Sequence, residues 1–163
     1  MDAKELARLA IASADQICMS YLADLSDADL LHRPIKGTNH INWQVGHLIA
    51  SEHMLGEMVQ AGSMPALPDG FAEKYAKETA SSDDQASFAT KEELLAAKQV
   101  QRDGMLSLLD KLPVEDLSNP SPEQMRSFFP NLASLILSAD SHWLMHAGQW
   151  AIVRRSLGKP PLF

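Results

Sequence analysis

The chain has 163 residues, of which 45% are hydrophobic and 21% charged, values typical of a folded globular protein of one-domain length. A net charge of −7 and a pI near 5.3 disfavour binding to nucleic acid or anionic membranes, which requires clustered Lys and Arg. The single cysteine, Cys18, excludes an intrachain disulfide and a cysteine-based zinc site.

The same sequence contains no run of eighteen apolar residues, so we expect no membrane-spanning helix. Residues 1–5 are charged and lack the apolar core of a signal peptide. We therefore expect one domain over 1–163, located in the cytoplasm. Its expected partner is a small-molecule substrate, with no nucleic acid and no membrane.

The first predicted element is a long amphipathic helix over residues 2–25, where apolar side chains recur at helical spacing. These side chains are Leu6, Leu9, Ala10, Ile17, Tyr21, Leu22 and Leu25. Residues 26–40 contain Pro34, Gly37 and several turn formers, which indicates a connection. A short helical turn at 27–31 is expected within it.

A second helix is predicted over 41–60, with Asn39 or Asn42 as its N-cap and with Gly62 and Pro65 after its end. Its apolar line comprises Ile41, Val45, Leu48, Ile49, Leu55 and Val59. Residues 61–90 then form a long irregular connection, in which 71–79 is expected to be a short surface helix. A connection of this length is typically functional or mobile, and we expect it to cover a pocket.

The third and fourth helices have clear start signals. Thr90 and Glu93 have the spacing of a capping box, which predicts a helix to about residue 112, before Pro113. After a proline-containing connection over 113–130, Asn131 is the expected cap of a helix that reaches about residue 157, with Gly158 at C′. No alternating strand pattern occurs. The predicted fold class is therefore all-α, a four-helix bundle with long connections between helices.

Two histidines stand four residues apart on the fourth helix, His142 and His146, about 40° apart on one face. They lie within or beside an apolar stripe of Leu132, Leu135, Ile136, Ala139, Trp143, Trp150, Val153 and Leu157. On the second helix, His47 borders the apolar line, one turn after Trp43. Three inward imidazoles can hold one ion and leave a fourth position for water or substrate, as in catalytic zinc sites. Nickel, iron and copper also accept imidazole.

The other histidines are expected elsewhere. His32 and His40 fall in a connection, and His53 lies about 240° around the helix from His47, where Glu57 is its expected surface partner. An alternative for the three inward histidines is that they are hydrogen-bonded core residues without metal. The segment between His142 and His146 also lacks the glutamate of an HExxH motif, which argues against a zincin-type protease.

Several further side chains have simple structural interpretations. The three tryptophans are expected in the core, Cys18 is expected to be a small buried hydrophobe rather than a nucleophile, and Arg154 and Arg155 are expected to interact with the helix dipole. A histidine that binds a metal usually donates its second ring N–H to an acceptor. The candidate partners are Asn42, Gln44, Ser51, Glu52, Asp140 and Gln149.

Two sequence motifs lie on the second and fourth predicted helices. Residues 42–48, NWQVGHL, open the second helix, and residues 142–149, HWLMHAGQ, are followed by RRSLGKPP at 154–161 on and after the fourth. These motifs resemble the opening of the second helix and the closing helix of the DinB-like (DinB/YfiT) family. The resemblance implies a four-helix bundle of unusual handedness, often a homodimer. It also implies a divalent ion, commonly zinc or nickel, bound by His47, His142 and His146, the same three histidines that the periodicity selects.

The resemblance further implies a class of reaction. Some members of the family resemble thiol-dependent transferases or isomerases, in which the metal activates the thiol of a low-molecular-weight cofactor such as mycothiol, bacillithiol or glutathione. The leading hypothesis is therefore a divalent-metal-dependent enzyme of this kind. The alternatives are a metal-dependent hydrolase, in which the ion activates water, and a non-catalytic bundle that binds metal for sensing or structure.

Overall fold

The computed structural model describes residues 1–163 and contains six α-helices and no β-strand. The four long helices are α1 (Ala3–Leu22), α3 (Ile41–Val59), α5 (Lys91–Lys111) and α6 (Leu132–Ser156). Two short helices, α2 (Asp27–Leu30) and α4 (Phe71–Lys74), lie in the first two connections. The predicted all-α bundle with long connections is confirmed, and α3, α5 and α6 are its second, third and fourth long helices.

The four long helices pack as a closed bundle. α6 lies against both α1 and α3, α3 lies against α5 as well, and α1 and α5 meet over a shorter length. α3 and α6, which carry the three candidate histidines, are therefore direct neighbours. None of the helices combines the length and the apolar character needed to cross a bilayer.

The predicted caps of α5 and α6 are confirmed. The Thr90 hydroxyl accepts from the backbone N–H of Glu93, and the Asn131 side chain accepts from the backbone N–H of Ser134. These polar side chains satisfy N–H groups that have no partner inside the helix.

The predicted cap of α3 is wrong. His40 occupies the cap, where its Nδ1 accepts from the backbone N–H of Trp43 at 3.0 Å. Asn42 lies inside the helix and donates to the carbonyl of Ala89, and the Asn39 carbonyl accepts from Gln44. The Asn42 side chain is thus used in a tertiary contact, Asn39 lies one residue before the cap, and an imidazole nitrogen of His40 caps the helix instead.

The apolar face predicted for α1 is also partly wrong. Leu6 and Leu9 are more than half exposed, and the buried residues are mostly smaller. The buried face consists of Ala7, Ile11, Ala14, Cys18 and Leu22. Small side chains at three of these positions let α1 lie close to its neighbours, so the largest hydrophobic residues do not mark the packed face. Cys18 is 1% exposed, which confirms its prediction as a buried small residue.

A layer of charged side chains divides the core into two apolar clusters. This polar layer consists of Asp15 on α1, Glu52 on α3, Lys98 and Arg102 on α5, and Asp140 on α6. On each helix it lies between residues of one apolar cluster and residues of the other. Arg102 bridges Asp140 at 2.7 Å and Glu52 at 3.2 Å, and Lys98 pairs with Asp15. The layer was not anticipated from the sequence.

Candidate metal centre

The three candidate histidines meet between α3 and α6. One ring nitrogen each of His47, His142 and His146 lies within 4.8 Å of the others, and the two Nε2 atoms on α6 are 3.3 Å apart. Two nitrogens bound to a tetrahedral zinc ion at about 2.0–2.1 Å would be separated by about 3.3 Å. The three imidazoles therefore have the spacing to hold a metal ion together. No Cys, Asp or Glu joins the group.

His47 is positioned by an aromatic neighbour one turn earlier on α3. The rings of Trp43 and His47 stack in parallel, with centroids 5.0 Å apart and an interplanar angle of 5°. The Trp43 Nε1–H donates to the carbonyl of Ala76 and to the Thr79 hydroxyl, both at 3.1 Å. The long connection over 61–90 therefore contributes to the centre by fixing Trp43, through residues that follow α4 in the sequence.

The residue before His47 is a glycine for a steric reason. A Cβ added to Gly46 would lie 2.2–2.4 Å from atoms of the Tyr75 ring, so no other residue fits without displacing that ring. Tyr75 is held in turn by hydrogen bonds to Asn42 and to the backbone N–H of Ala89. The predicted surface helix at 71–79 is thus only partly exposed, since Phe71 and Tyr75 are core residues.

His146 is held by a buried amide. Its Nδ1 lies 2.8 Å from Gln44 Oε1, which also accepts from the Trp150 Nε1–H at 2.9 Å. The Gln44 Nε2 donates to the Asn39 carbonyl at 2.6 Å. Of the candidate hydrogen-bond partners named from the sequence, Gln44 is the one that contacts a histidine of the cluster.

The electrostatic setting favours neutral imidazoles. Burial lowers the pKa of His47, and burial together with the nearby His47 lowers the pKa of His142. Burial and the two neighbouring histidines lower the pKa of His146 to about 4. All three rings are consequently neutral at pH 7, which is the protonation state that a metal ligand requires.

Other residues considered from the sequence lie outside the cluster. His53 points away from it, as predicted, but its Nδ1 lies 3.1 Å from Gln101 Oε1, and Glu57 instead accepts from backbone N–H groups of the following loop. The predicted surface pair between His53 and Glu57 is therefore wrong. Arg154 does lie in the last turn of α6, yet it is buried and pairs with Asp24.

The connection over 61–90 also lines a separate cavity. Residues of 66–74 and of α5 enclose a mostly apolar space of about 540 Å³, and none of the three histidines lines it. The histidine rings are themselves half-buried at the surface of the bundle between α3 and α6. This cavity lies beside α5, away from the cluster, so it is not the pocket of the metal site that 61–90 was expected to cover.

The fold and the cluster together define an all-α four-helix bundle with three convergent histidines on two neighbouring helices. The model of the DinB superfamily matches residues 12–150, and the chain belongs to this family. No curated protein matches the chain significantly. The chain is similar in fold to the crystal structure of a conserved protein from Enterococcus faecalis, with a TM-score of 0.74 and 20% identity over 98% of this chain and 99% of that one.

Proposed function

We propose that the protein is a divalent-metal-dependent enzyme in which His47, His142 and His146 bind the ion. The observation that carries the proposal is the convergence of three neutral imidazoles without a fourth Cys, His, Asp or Glu ligand. Closed structural zinc sites normally use four protein ligands, whereas catalytic sites use three and keep a position for water or substrate. Zinc or nickel suits such a ligand set.

When bound, a divalent ion supplies a positive charge that lowers the pKa of an adjacent water or thiol toward neutrality. The side chains around the cluster hold the ligands in place. Trp43 orients the ring of His47 by stacking, and Gln44 orients His146 by a hydrogen bond. The three histidines are half-buried, so the cluster is partly accessible from solvent.

We further propose that the nucleophile is a thiol supplied by a low-molecular-weight cofactor, as in the transferases and isomerases that the chain resembles. No carboxylate joins the cluster to act as a general base. A thiol, with a pKa of about 8.5, needs less assistance to ionise than water, with a pKa of about 15.7. The thiol must come from outside the chain because Cys18 is 1% exposed and burial raises its pKa to about 12.

The metal site is tested by elemental analysis of protein purified without chelators. We expect about one equivalent of a divalent metal in the wild type, and a strong loss of metal in His47→Ala, His142→Ala and His146→Ala. His53→Ala is the matched control, since it removes a half-buried histidine from the same helix as His47. Equal loss of metal in His53→Ala and His47→Ala would contradict the assignment, and metal-free wild type would favour hydrogen-bonded core histidines.

The reaction is tested by following the loss of an electrophile with and without added thiols. Consumption that requires a thiol supports the transferase or isomerase, whereas thiol-independent consumption indicates a hydrolase.

A non-catalytic structural role is tested by thermal melting of His142→Ala. We expect the fold to persist without metal because none of the three histidines belongs to either apolar cluster of the core. Collapse of the fold together with metal loss would favour a structural ion.

A further inference from the structure

The hydrogen bonds around Gln44 fix the direction of its amide. The indole N–H of Trp150 can only donate, and the backbone carbonyl of Asn39 can only accept. Trp150 Nε1 lies 2.9 Å from one end of the amide, and the Asn39 carbonyl lies 2.6 Å from the other. The oxygen of Gln44 must therefore face Trp150, and its NH₂ group must face Asn39. Gln44 is 1% exposed, so water does not compete for these contacts.

This fixed direction decides which nitrogen of His146 carries the proton. Gln44 Oε1 is the atom that lies 2.8 Å from His146 Nδ1, and an amide oxygen can only accept. Nδ1 must then be the donor, and in the neutral ring Nε2 is left with a free lone pair. That lone pair lies on the side of the cluster, where His142 Nε2 is 3.3 Å away.

The same reasoning makes the two histidines of α6 unequal. Without an ion, His146 Nε2 accepts a hydrogen bond, so His142 Nε2 must carry the proton that it receives. The Nδ1 of His142 makes no hydrogen bond to the protein, so no hydrogen bond has to break there when the proton of this ring moves to that nitrogen. His146 is ready to bind an ion as it stands, whereas His142 must first change tautomer.

We propose that Gln44, aligned by Trp150 and Asn39, is a positioning residue that locks His146 in its Nδ1–H tautomer and leaves His142 as the ligand that changes tautomer when the ion binds. The proposal deepens the proposed metal site and rests on it for the effect on affinity. The assignment of protons in the metal-free protein does not depend on metal binding. Failure of the tautomer assignment can therefore be distinguished from failure of the proposed metal site.

The proton positions are tested by long-range ¹H–¹⁵N NMR of the histidine rings in the metal-free wild type near neutral pH. The signals of His142 and His146 are assigned from their loss in His142→Gln and His146→Gln. We expect a protonated Nδ1 on His146 and a protonated Nε2 on His142. A protonated Nε2 on His146 would overturn the proposal, whether or not any variant folds.

The role of Gln44 is tested with three variants, each checked for folding by circular dichroism. Gln44→Met keeps the length of the side chain but removes the acceptor, and His146 should lose its fixed tautomer. Gln44→Glu keeps the acceptor toward His146 but loses the donor toward the Asn39 carbonyl, and it should retain the Nδ1–H tautomer. Gln149→Met is the matched control, because Gln149 is exposed and makes no hydrogen bond to the cluster. An unchanged His146 tautomer in Gln44→Met would contradict the proposal.

The effect of the Gln44 variants on zinc affinity is measured by titrating Zn²⁺ in competition with a chelating dye. Loss of the acceptor behind a metal-binding histidine typically weakens metal affinity 10–100-fold, and we expect a loss of about this size in Gln44→Met. Gln44→Glu and Gln149→Met should remain close to the wild type. If the wild type binds no zinc while His146 shows the expected tautomer, the proposed metal site is wrong, but Gln44 still fixes the tautomer of His146.

Discussion

Replacement of Arg102 by methionine should be among the most destabilising single changes in the protein. Arg102 is 4% exposed, and it is the cation that bridges Glu52 and Asp140, which are 1% and 6% exposed. Lys98, the other cation of the polar layer, is already paired with Asp15. Arg102→Met would leave two buried carboxylates without a charged partner, although Glu52 keeps the hydrogen bond from Trp143. Removing one member of a buried ion pair costs about 3–5 kcal/mol, and we expect at least this loss at pH 7.

The same variant should show a distinct pH dependence. Burial already raises the pKa of Glu52 and of Asp140, while the charge of Arg102 opposes this rise. Without Arg102 both pKa values rise further, so the folded state binds more protons than the unfolded state. The free energy of unfolding is then fully retained below the pKa values that the two carboxyls have in the unfolded state. It falls as the pH rises through the pKa values that they have in the folded state. The loss caused by Arg102→Met should therefore be smaller at pH 5 than at pH 7.

Urea unfolding followed by circular dichroism measures both effects. The matched control is the triple variant Glu52→Gln, Asp140→Asn and Arg102→Met, which removes these three buried charges together and leaves Lys98 paired with Asp15. We expect it to be more stable at pH 7 than Arg102→Met alone, because no buried charge is left unpaired. A loss below about 1 kcal/mol in Arg102→Met, or a loss of the same size at pH 5 and pH 7, would refute this account of the polar layer.

Three further predictions concern the surroundings of the cluster and the end of the bundle. Gly46→Ala should destabilise the fold by about 1–3 kcal/mol in urea unfolding, since its Cβ would overlap the Tyr75 ring; an unchanged midpoint would contradict that contact. Because the folded pKa of His146 is about 4, the unfolded state binds more protons below pH 6.5. Stability of the metal-free protein should therefore fall from pH 6.5 toward pH 4, and less steeply in His146→Leu. Arg154 lowers the pKa of Asp24 to about 2, so Asp24→Asn should destabilise the protein above pH 3.8 and the difference should shrink toward pH 2; a constant difference would argue against the ion pair.

The helices were predictable because their signals are local. The capping pairs at Thr90 and at Asn131 identified the starts of α5 and α6, and the apolar periodicity identified the four long helices. The grouping of His47 with the two histidines of α6 was also predictable, since helical spacing alone placed all three at the edge of the apolar faces. The bundle then brings those edges together.

The features that were missed depend on partners distant in sequence. Leu6 and Leu9 have the spacing of a buried face, but the close approach of α1 to its neighbours favours the smaller side chains of Ala7 and Ala14. His40 caps α3, while Asn42 lies inside the helix and donates to the carbonyl of Ala89 before α5. Neither outcome follows from local propensity, because each is decided by side chains that meet only in the folded chain.

The polar layer left a recognisable trace in the sequence. Glu52, Arg102 and Asp140 each interrupt the apolar side of a predicted helix, and a charge in such a position is rarely buried unless it is paired. A search for complementary charges at the same level along neighbouring helices would have paired Arg102 with Glu52 and Asp140. That signal is weaker than a metal motif, since a single acid on a helix is more often exposed.

The register of α3 against α6 is the condition on which the histidine cluster depends. Trp143 donates to Glu52 Oε2 at 3.1 Å, and Trp150 donates to Gln44 Oε1 at 2.9 Å. His47 lies between the two acceptors on α3, which are separated by about 12 Å along the axis. A shift of one helical turn, about 5.4 Å, would break both indole hydrogen bonds and leave two buried indole N–H groups without acceptors. The two tryptophans, predicted only as core residues, therefore hold α3 and α6 at the one alignment in which the three imidazoles meet.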